Sequence, residues 1–310
     1  MNGPLRERMR LWCEDLRDRL CGEFEAADGA AAFSRELWSR DGGGGGLSRT
    51  IRDGAVFEKG GVNTSTVFGR LPGSAAATHT AQDPSFATGI SLVLHPRNPM
   101  VPAIHANFRY FEAGGGDAWF GGGCDLTPAY LFEEDVRHFH GVLCRACERA
   151  EPGSYTAFKN WCDEYFHIRH RGERRGVGGV FFDELRGDAE RRFAFVRSVG
   201  GALAEAYIPI VCRRRNEPYG DAERAWQLLR RGRYAEFNLV LDRGTAFGLQ
   251  TGARTASVLM SLPPLARWDE AWTPEPGSRE AAMLEVLRRP RDWTTPPPPA
   301  AEAKERTHDH

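Results

Sequence analysis

Between His105 and His140 the chain concentrates side chains that bind anions, orient rings and move protons. His105, Asn107 and Arg109 come first, then the glycine triplet Gly121 to Gly123, then Asp125. Histidine and aspartate are residue types that suit general acid–base work. An arginine beside them suits capture of a carboxylate. Read at period two, His105, Asn107 and Arg109 fall on one face of a strand, and Ile104, Ala106, Phe108 and Tyr110 on the other. Three polar groups in a row make a wall that could line a pocket, although an ordinary half-exposed strand shows the same alternation. Successive glycines mark close approach by a ligand or another backbone, so the triplet predicts open space beside Asp125. The competing reading has Asp125 bonding the backbone of the Thr127-Pro128 turn.

Four further histidine readings follow from position. His140 falls on the apolar stripe of a helix over 131–150 with Val136, Leu143, Cys144 and Cys147, while His138 lies about 200° away and faces water. His95, His105, His140 and His170 could converge on a metal or on a pocket, but none has close H-x-H or H-x-x-x-H spacing. Cys144 and Cys147 form a single C-x-x-C with no second pair, and on a helix they are neighbours that pack. Gly42 to Gly46 lack the Lys-Ser/Thr ending of a phosphate loop. Their N–H groups could still meet an anion near Arg49, or the run could be a plain flexible loop. Toward the C-terminus, Arg243 and Arg254 sit in or beside a glycine-punctuated connection, where guanidinium groups suit bidentate capture of a carboxylate.

The elements that must position these groups follow from hydrophobic period. Leu5, Met9, Trp12, Leu16 and Leu20 predict a helix over about 4–26. Strand patterns occur near 50–58 and at 62–68, 89–95, 101–112, 117–122, 177–183, 234–241 and 256–262; in 89–95, Ser91 alternates with Ile90 and Leu92. Helices fit 131–150, 154–171, 188–206, 219–231 and 278–288. Many strand connections are too short for a crossover helix, which predicts an α+β fold with a large, mostly antiparallel sheet and helices packed on it. In that reading Phe237, Leu239 and Leu241 form one apolar strand face. Residues 1–294 read as a single domain and 295–310, TPPPPAAEAKERTHDH, as a disordered tail.

Composition excludes several function classes. Among 310 residues, 41 Lys and Arg balance 42 Asp and Glu, for a formal net charge of -1. That argues against a nucleic-acid footprint. No run approaches 18 apolar residues, so no membrane span is expected. The N-terminus reads as an amphipathic helix with acidic groups and not as a targeting peptide. Seven cysteines without disulfide spacing suit a reducing cytoplasm.

The motifs HPRNPMVPAIHANFRYF, WFGGGCDLTP, FKNWCDEYF, HRGERRGVGG, RRGRYAEFNLVLDRGT and SLPPLARW occur in that order. Together they resemble the oxygen-dependent coproporphyrinogen III oxidases of haem biosynthesis, from the glycine run to PRDW at 290–293. The resemblance implies oxidative decarboxylation of two propionates of coproporphyrinogen III to vinyls. The products would be protoporphyrinogen IX, carbon dioxide and hydrogen peroxide, with molecular oxygen as co-substrate and no organic cofactor. It implies a large sheet flanked by helices on both sides and a homodimer whose contact includes 234–269. Carried over by position, Ser91, Asn107, Phe108, Arg109, Gly252, Ala253 and Arg254 match substrate-binding residues. His105 matches a proton donor, and Asp125 and Arg109 the pair closest to the reacting ring. His95, His105, His140 and His170 match ligands of a divalent metal cation. Asp125 as base, Arg109 and Arg254 as carboxylate clamps and His105 as donor make a consistent expectation. One departure is Ala256, where the family commonly carries Glu. A metal-dependent hydrolase or oxygenase and a non-catalytic tetrapyrrole carrier remain as competing readings.

Overall fold

Helix α1 (Leu5–Asp28) is the first element and supplies much of the core. Met9, Trp12, Cys13, Leu16, Leu20 and Phe24 recur at helical spacing on its buried stripe. Gly29 ends it in a left-handed conformation, φ 77°, and returns its N–H to the Glu25 carbonyl. This computed structural model describes residues 3–69, 85–113, 117–250, 254–269 and 272–295.

The chain then runs through β1 (Glu36–Ser39), β2 (Gly44–Arg52), β3 (Phe57–Gly69), β4 (Ser85–Pro96), β5 (Ala103–Glu112) and β6 (Ala118–Thr127). Helices α2 (Glu133–Ala150) and α3 (Ser154–Tyr165) follow, with the short strands β7 (His167–Ile168) and β8 (Glu173–Arg174) before β9 (Gly178–Leu185). The larger sheet has seven strands in the order β1-β2-β3-β4-β5-β6-β9, and every pairing in it is antiparallel. The expected α+β class and antiparallel sheet are therefore observed. From β1 to β6 the strands pair in chain order, and β9 joins β6 after the excursion through α2, α3 and the β7–β8 pair.

Two faces of the sheet have different fates. Ile104, Ala106, Phe108 and Tyr110 of β5 are buried against the helical layer. Phe108 meets the Trp12 ring edge-on at 5.9 Å, and Phe120 of β6 stacks on Phe193 at 6.3 Å. Phe193 belongs to α4 (Ala189–Gly201), which is followed by α5 (Leu203–Arg214) and α6 (Asp221–Glu236). The predicted helix over 188–206 is thus broken at Ala202 and continues to Arg214. Together Ala189–Arg214 carry a window with mean hydropathy 1.3, a composition that could span a bilayer. Phe193, Phe195, Val196, Val199, Tyr207, Ile210 and Val211 instead lie in the core.

The opposite face receives the C-terminal run. After α6 comes a π-helical turn (Phe237–Leu241), then α7 (Arg243–Gln250), α8 (Thr255–Val258), a 3-10 turn (Leu259–Ser261) and α9 (Arg279–Arg288). Segments 234–241 and 256–262 are therefore helical, correcting the expectation of strands. At helical period Phe237 and Leu241 share a face and pack around Phe166 and Phe181, while Leu239 is exposed. The strap from α8 onward is stitched to the sheet: Ser257 lies 3.4 Å from Ser48, His95 Nε2 donates to the Ser261 carbonyl at 2.8 Å, and Lys59 donates to Leu262. Met260 fills the space that any side chain at Gly61 would need. Helices thus flank both sides of the sheet.

Candidate active site

The polar face of β5 is the centre of a floor built from cross-strand rows. Glu36, Ser48, Asn63, Ser91, Asn107 and Gly123 stand opposite one another from β1 to β6. The adjacent rows are Gly46, Ser65, Gly89, Arg109 and Gly121, and Gly61, Val93, His105 and Asp125. Residues in register point to the same side, so one surface of small and polar side chains runs across the middle strands. Ser91, Asn107 and Arg109 share this floor as the sequence implied. Phe108 does not: it is 1% exposed in the helical layer, so its side chain cannot be a lining group on the polar face. Gly252 and Ala253 lie outside the described residues.

Asp125 and His105 meet across β5 and β6, Nδ1 to Oδ1 at 2.8 Å. Arg175, which follows β8, completes the group by donating Nη2 to both carboxylate oxygens of Asp125 at 2.8 Å. Its Nη1 donates to Asn238 at 2.6 Å. Phe166, Tyr234 and Phe237 surround the guanidinium at 4.0, 4.6 and 4.9 Å. Burial alone would raise the Asp125 pKa; the Arg175 charge and the His105 bond outweigh it and hold the carboxyl below its ordinary value. An ionised carboxylate only accepts hydrogen bonds, so His105 must present Nδ1–H to it, leaving Nε2 as the ring's other proton-exchanging atom.

This geometry corrects the open space expected beside Asp125, which is 1% exposed. The glycine triplet serves close backbone approach instead. A Cβ on Gly123, whose φ is 151°, would lie 2.2 Å from the Val180 carbonyl of β9. At Gly121 it would lie 2.4 Å from Asp183 Oδ1 and 2.7 Å from Arg109 Nε.

Three other guanidinium groups border the floor. Arg109 pairs with Asp183 at 3.0 Å. Arg254, at the N-terminus of α8, pairs with Glu36 and reaches the Ser48 hydroxyl at 3.5 Å. Ala256 is exposed and carries no charge, so Glu36 is the carboxylate that Arg254 meets. Arg243 lies over the Tyr165 ring at 5.2 Å, and Tyr165 donates to Asp242 at 2.9 Å. Burial, then Asp242, push the Tyr165 hydroxyl up to about 12, against the opposing charges of Arg109 and Arg243. Arg49 is elsewhere: it faces α1, with Asp18 at 3.6 Å and Glu25 at 3.5 Å. Gly44 to Gly46 lie in the β1–β2–β3 ladder and form no anion loop.

The four histidines are not gathered into one site. His140 is wholly buried, with Nδ1 at 2.8 Å from the Tyr155 hydroxyl and Nε2 at 3.1 Å from the Val177 carbonyl. His95 gives Nε2 to Ser261, and His170 Nε2 lies on the surface 3.0 Å from Glu236. Burial first, then Arg231 for His95 and Lys159 for His140, push both pKa values down to about 3. Among the described residues no three His, Cys, Asp or Glu side chains are grouped as a metal ion would need. His95, His105, His140 and His170 therefore do not meet at one cation site among the described residues.

A family model described as coproporphyrinogen III oxidase matches residues 8–293. The chain belongs to the coproporphyrinogen III oxidase family. A soybean (Glycine max) relative, named oxygen-dependent coproporphyrinogen-III oxidase, chloroplastic, is 50% identical over 306 residues, covering 93% of this chain and 80% of the relative. In this family member, sequence reasoning missed Arg175, Asp183, Glu36, Tyr165 and Asn238. Arg175 lay within a quoted motif, HRGERRGVGG, but its partner is 50 positions away. Nothing local to Glu36 or Asp183 marks either as a partner of an arginine.

Proposed function

We propose that this chain catalyses the oxygen-dependent oxidative decarboxylation of two propionate side chains of coproporphyrinogen III, giving protoporphyrinogen IX. Each step converts one propionic acid arm and one oxygen molecule into a vinyl group, carbon dioxide and hydrogen peroxide. The observation that carries this reading is the small-residue floor bordered by Arg109, Arg243 and Arg254 with the His105–Asp125 pair set into it. A flexible macrocycle of four pyrroles bearing four carboxylates needs a surface free of bulky side chains for its rings and cations for its acid arms.

In this reading Arg109 and Arg254 clamp propionates, and Ser91 and Asn107 contact the macrocycle. Asp125, saturated by Arg175, acts through His105 and does not itself abstract a proton from the substrate. Its charge fixes Nδ1–H and leaves Nε2 to take a proton from the substrate arm and pass it to the oxygen being reduced. No step passes through a metal. Leu239, Val240, Leu249, Leu265 and Trp268 are exposed apolar side chains within 234–269, and we take that segment as the contact of a homodimer. Seven free thiols support a reducing compartment; the cytoplasmic assignment rests on them, whereas the soybean relative's name says chloroplastic.

The test starts from anaerobic protein and coproporphyrinogen III, admits oxygen and follows product mass. Loss of two formic acid equivalents, only with oxygen and undiminished after chelation, is the expected result. Stoichiometric binding without oxygen consumption overturns the enzymatic reading in favour of a carrier. Activity lost on chelation and restored by one metal equivalent overturns the route without metal.

A further inference from the structure

Two of the three guanidinium groups that border the floor are already engaged by carboxylates of the chain itself. Arg109 is held by Asp183 and Arg254 by Glu36. Both acids lie on the substrate side of the sheet. Glu36 opens the row that continues through Ser48, Asn63, Ser91 and Asn107, and Asp183 reaches over Gly121. They come from its two outermost strands, β1 and β9. From those edges either acid can turn to water without disturbing a packed layer.

Exposure separates these pairs from the one beneath them. The side chains of Arg109 and Asp183 are 26% and 22% exposed, and those of Arg254 and Glu36 are 29% and 61% exposed. Ion pairs so wetted exchange partners readily, because water compensates each charge during the swap. Spacing adds a second constraint. Arg109 stands on β5, and Ser48, which Arg254 touches, stands on β2, three strand steps or about 14 Å away. That is comparable to the span of a four-pyrrole macrocycle with acid arms on opposite sides.

Resting on the decarboxylase reading above, we propose that Glu36 and Asp183 are resident counter-ions of the two clamping arginines, and that substrate propionates displace them on binding. The exchange replaces a carboxylate with a carboxylate, so each arginine keeps its orientation with and without substrate. Gly121 is part of the device, since any side chain there would occupy the place where Asp183 meets Arg109. Glu36 and Asp183 thereby set substrate affinity: they compete with it.

The sign of the effect tests this directly. Glu36→Gln and Asp183→Asn are assayed for oxygen uptake with coproporphyrinogen III, beside Glu184→Gln, which removes a charge loosely placed 4.0 Å from Arg186. Each of the first two is expected to lower KM by roughly 3- to 10-fold with kcat within about twofold, because a competitor is gone. The decrease should persist in about 0.3 M KCl, where long-range attraction is screened, and Glu184→Gln should show none. KM unchanged or raised in both variants overturns the proposal, since a carboxylate that merely positions its arginine would raise KM when lost. A decrease in one variant alone overturns it for the other arginine. Arg109→Met and Arg254→Met distinguish the underlying reading: if neither raises KM, the arginines are not clamps, whatever the acids do.

Discussion

Two kinds of arginine–carboxylate pair stand within one sheet, and their surroundings give them different work. Arg175 and Asp125 are 2% and 1% exposed in their side chains, ringed by aromatics and tied to His105 and Asn238. Arg109–Asp183 and Arg254–Glu36 use the same chemical groups at a wetted rim. In the buried pair each charge is stranded if the other is removed, so the pair behaves as one fixed object. At the rim a lost partner is replaced by water or by a ligand. Burial, and not residue type, separates a part of the architecture from a part of recognition.

Breaking the buried pair should have the largest effect. Arg175→Met is expected to destabilise the protein by about 3–5 kcal/mol, and the double change Arg175→Met/Asp125→Asn by less than the sum of the singles. Urea unfolding of the four proteins measures this; additive losses would contradict the coupling. Next, His105→Gln should keep the fold and lower kcat by about 10²–10⁴-fold with little change in KM. Stopped-flow oxygen consumption reads that split, and a wild-type kcat would end the proton-transfer role. Smaller again, Arg109→Met should raise KM by roughly 10-fold while kcat falls little, and stability should hardly move. A stability loss equal to that of Arg175→Met would erase the contrast between rim and interior.

The smallest effect concerns a surface cluster. Burial would raise the Glu236 pKa, but Arg171, His170 and Arg233 draw it from 4.5 to about 2. A carboxylate with a depressed folded-state pKa stabilises above its unfolded value and loses that contribution as pH falls through the folded one. Glu236→Gln should therefore cost about 1 kcal/mol near pH 6, after allowance for solvent screening. The deficit should shrink between pH 4.5 and pH 2. Thermal melts of both proteins across that range check it, and a constant deficit would refute the assignment.

The sheet was legible because it has one oily side. Alternation in β5 separated His105, Asn107 and Arg109 from Phe108 and Tyr110, as observed. The same period misled at 234–241, where Phe237 and Leu241 match both a strand and a helical turn and only tertiary packing on Phe166 and Phe181 decides. That Ser91, Asn107 and Arg109 share the polar face could be read from their run and the family resemblance, whereas the burial of Phe108 could not be read from the motif, since a motif does not say which way each member points. His95 and His140 suited a metal by type, but their carbonyl and hydroxyl partners lie 166, 15 and 37 positions away. Arg175 escaped notice for the same reason of separation.

Trp12 against Phe108 has a bearing on chemistry that neither ring touches. A strand offset by one residue exchanges its two sides completely. Such a slip of β5 would turn His105, Asn107 and Arg109 into the oily layer and set Ala106 and Phe108 on the polar floor. The aromatic contact behind the sheet thus proofreads the alignment of the reactive groups in front of it, so damage deep in α1 could silence the enzyme while every site residue remained in place in the sequence.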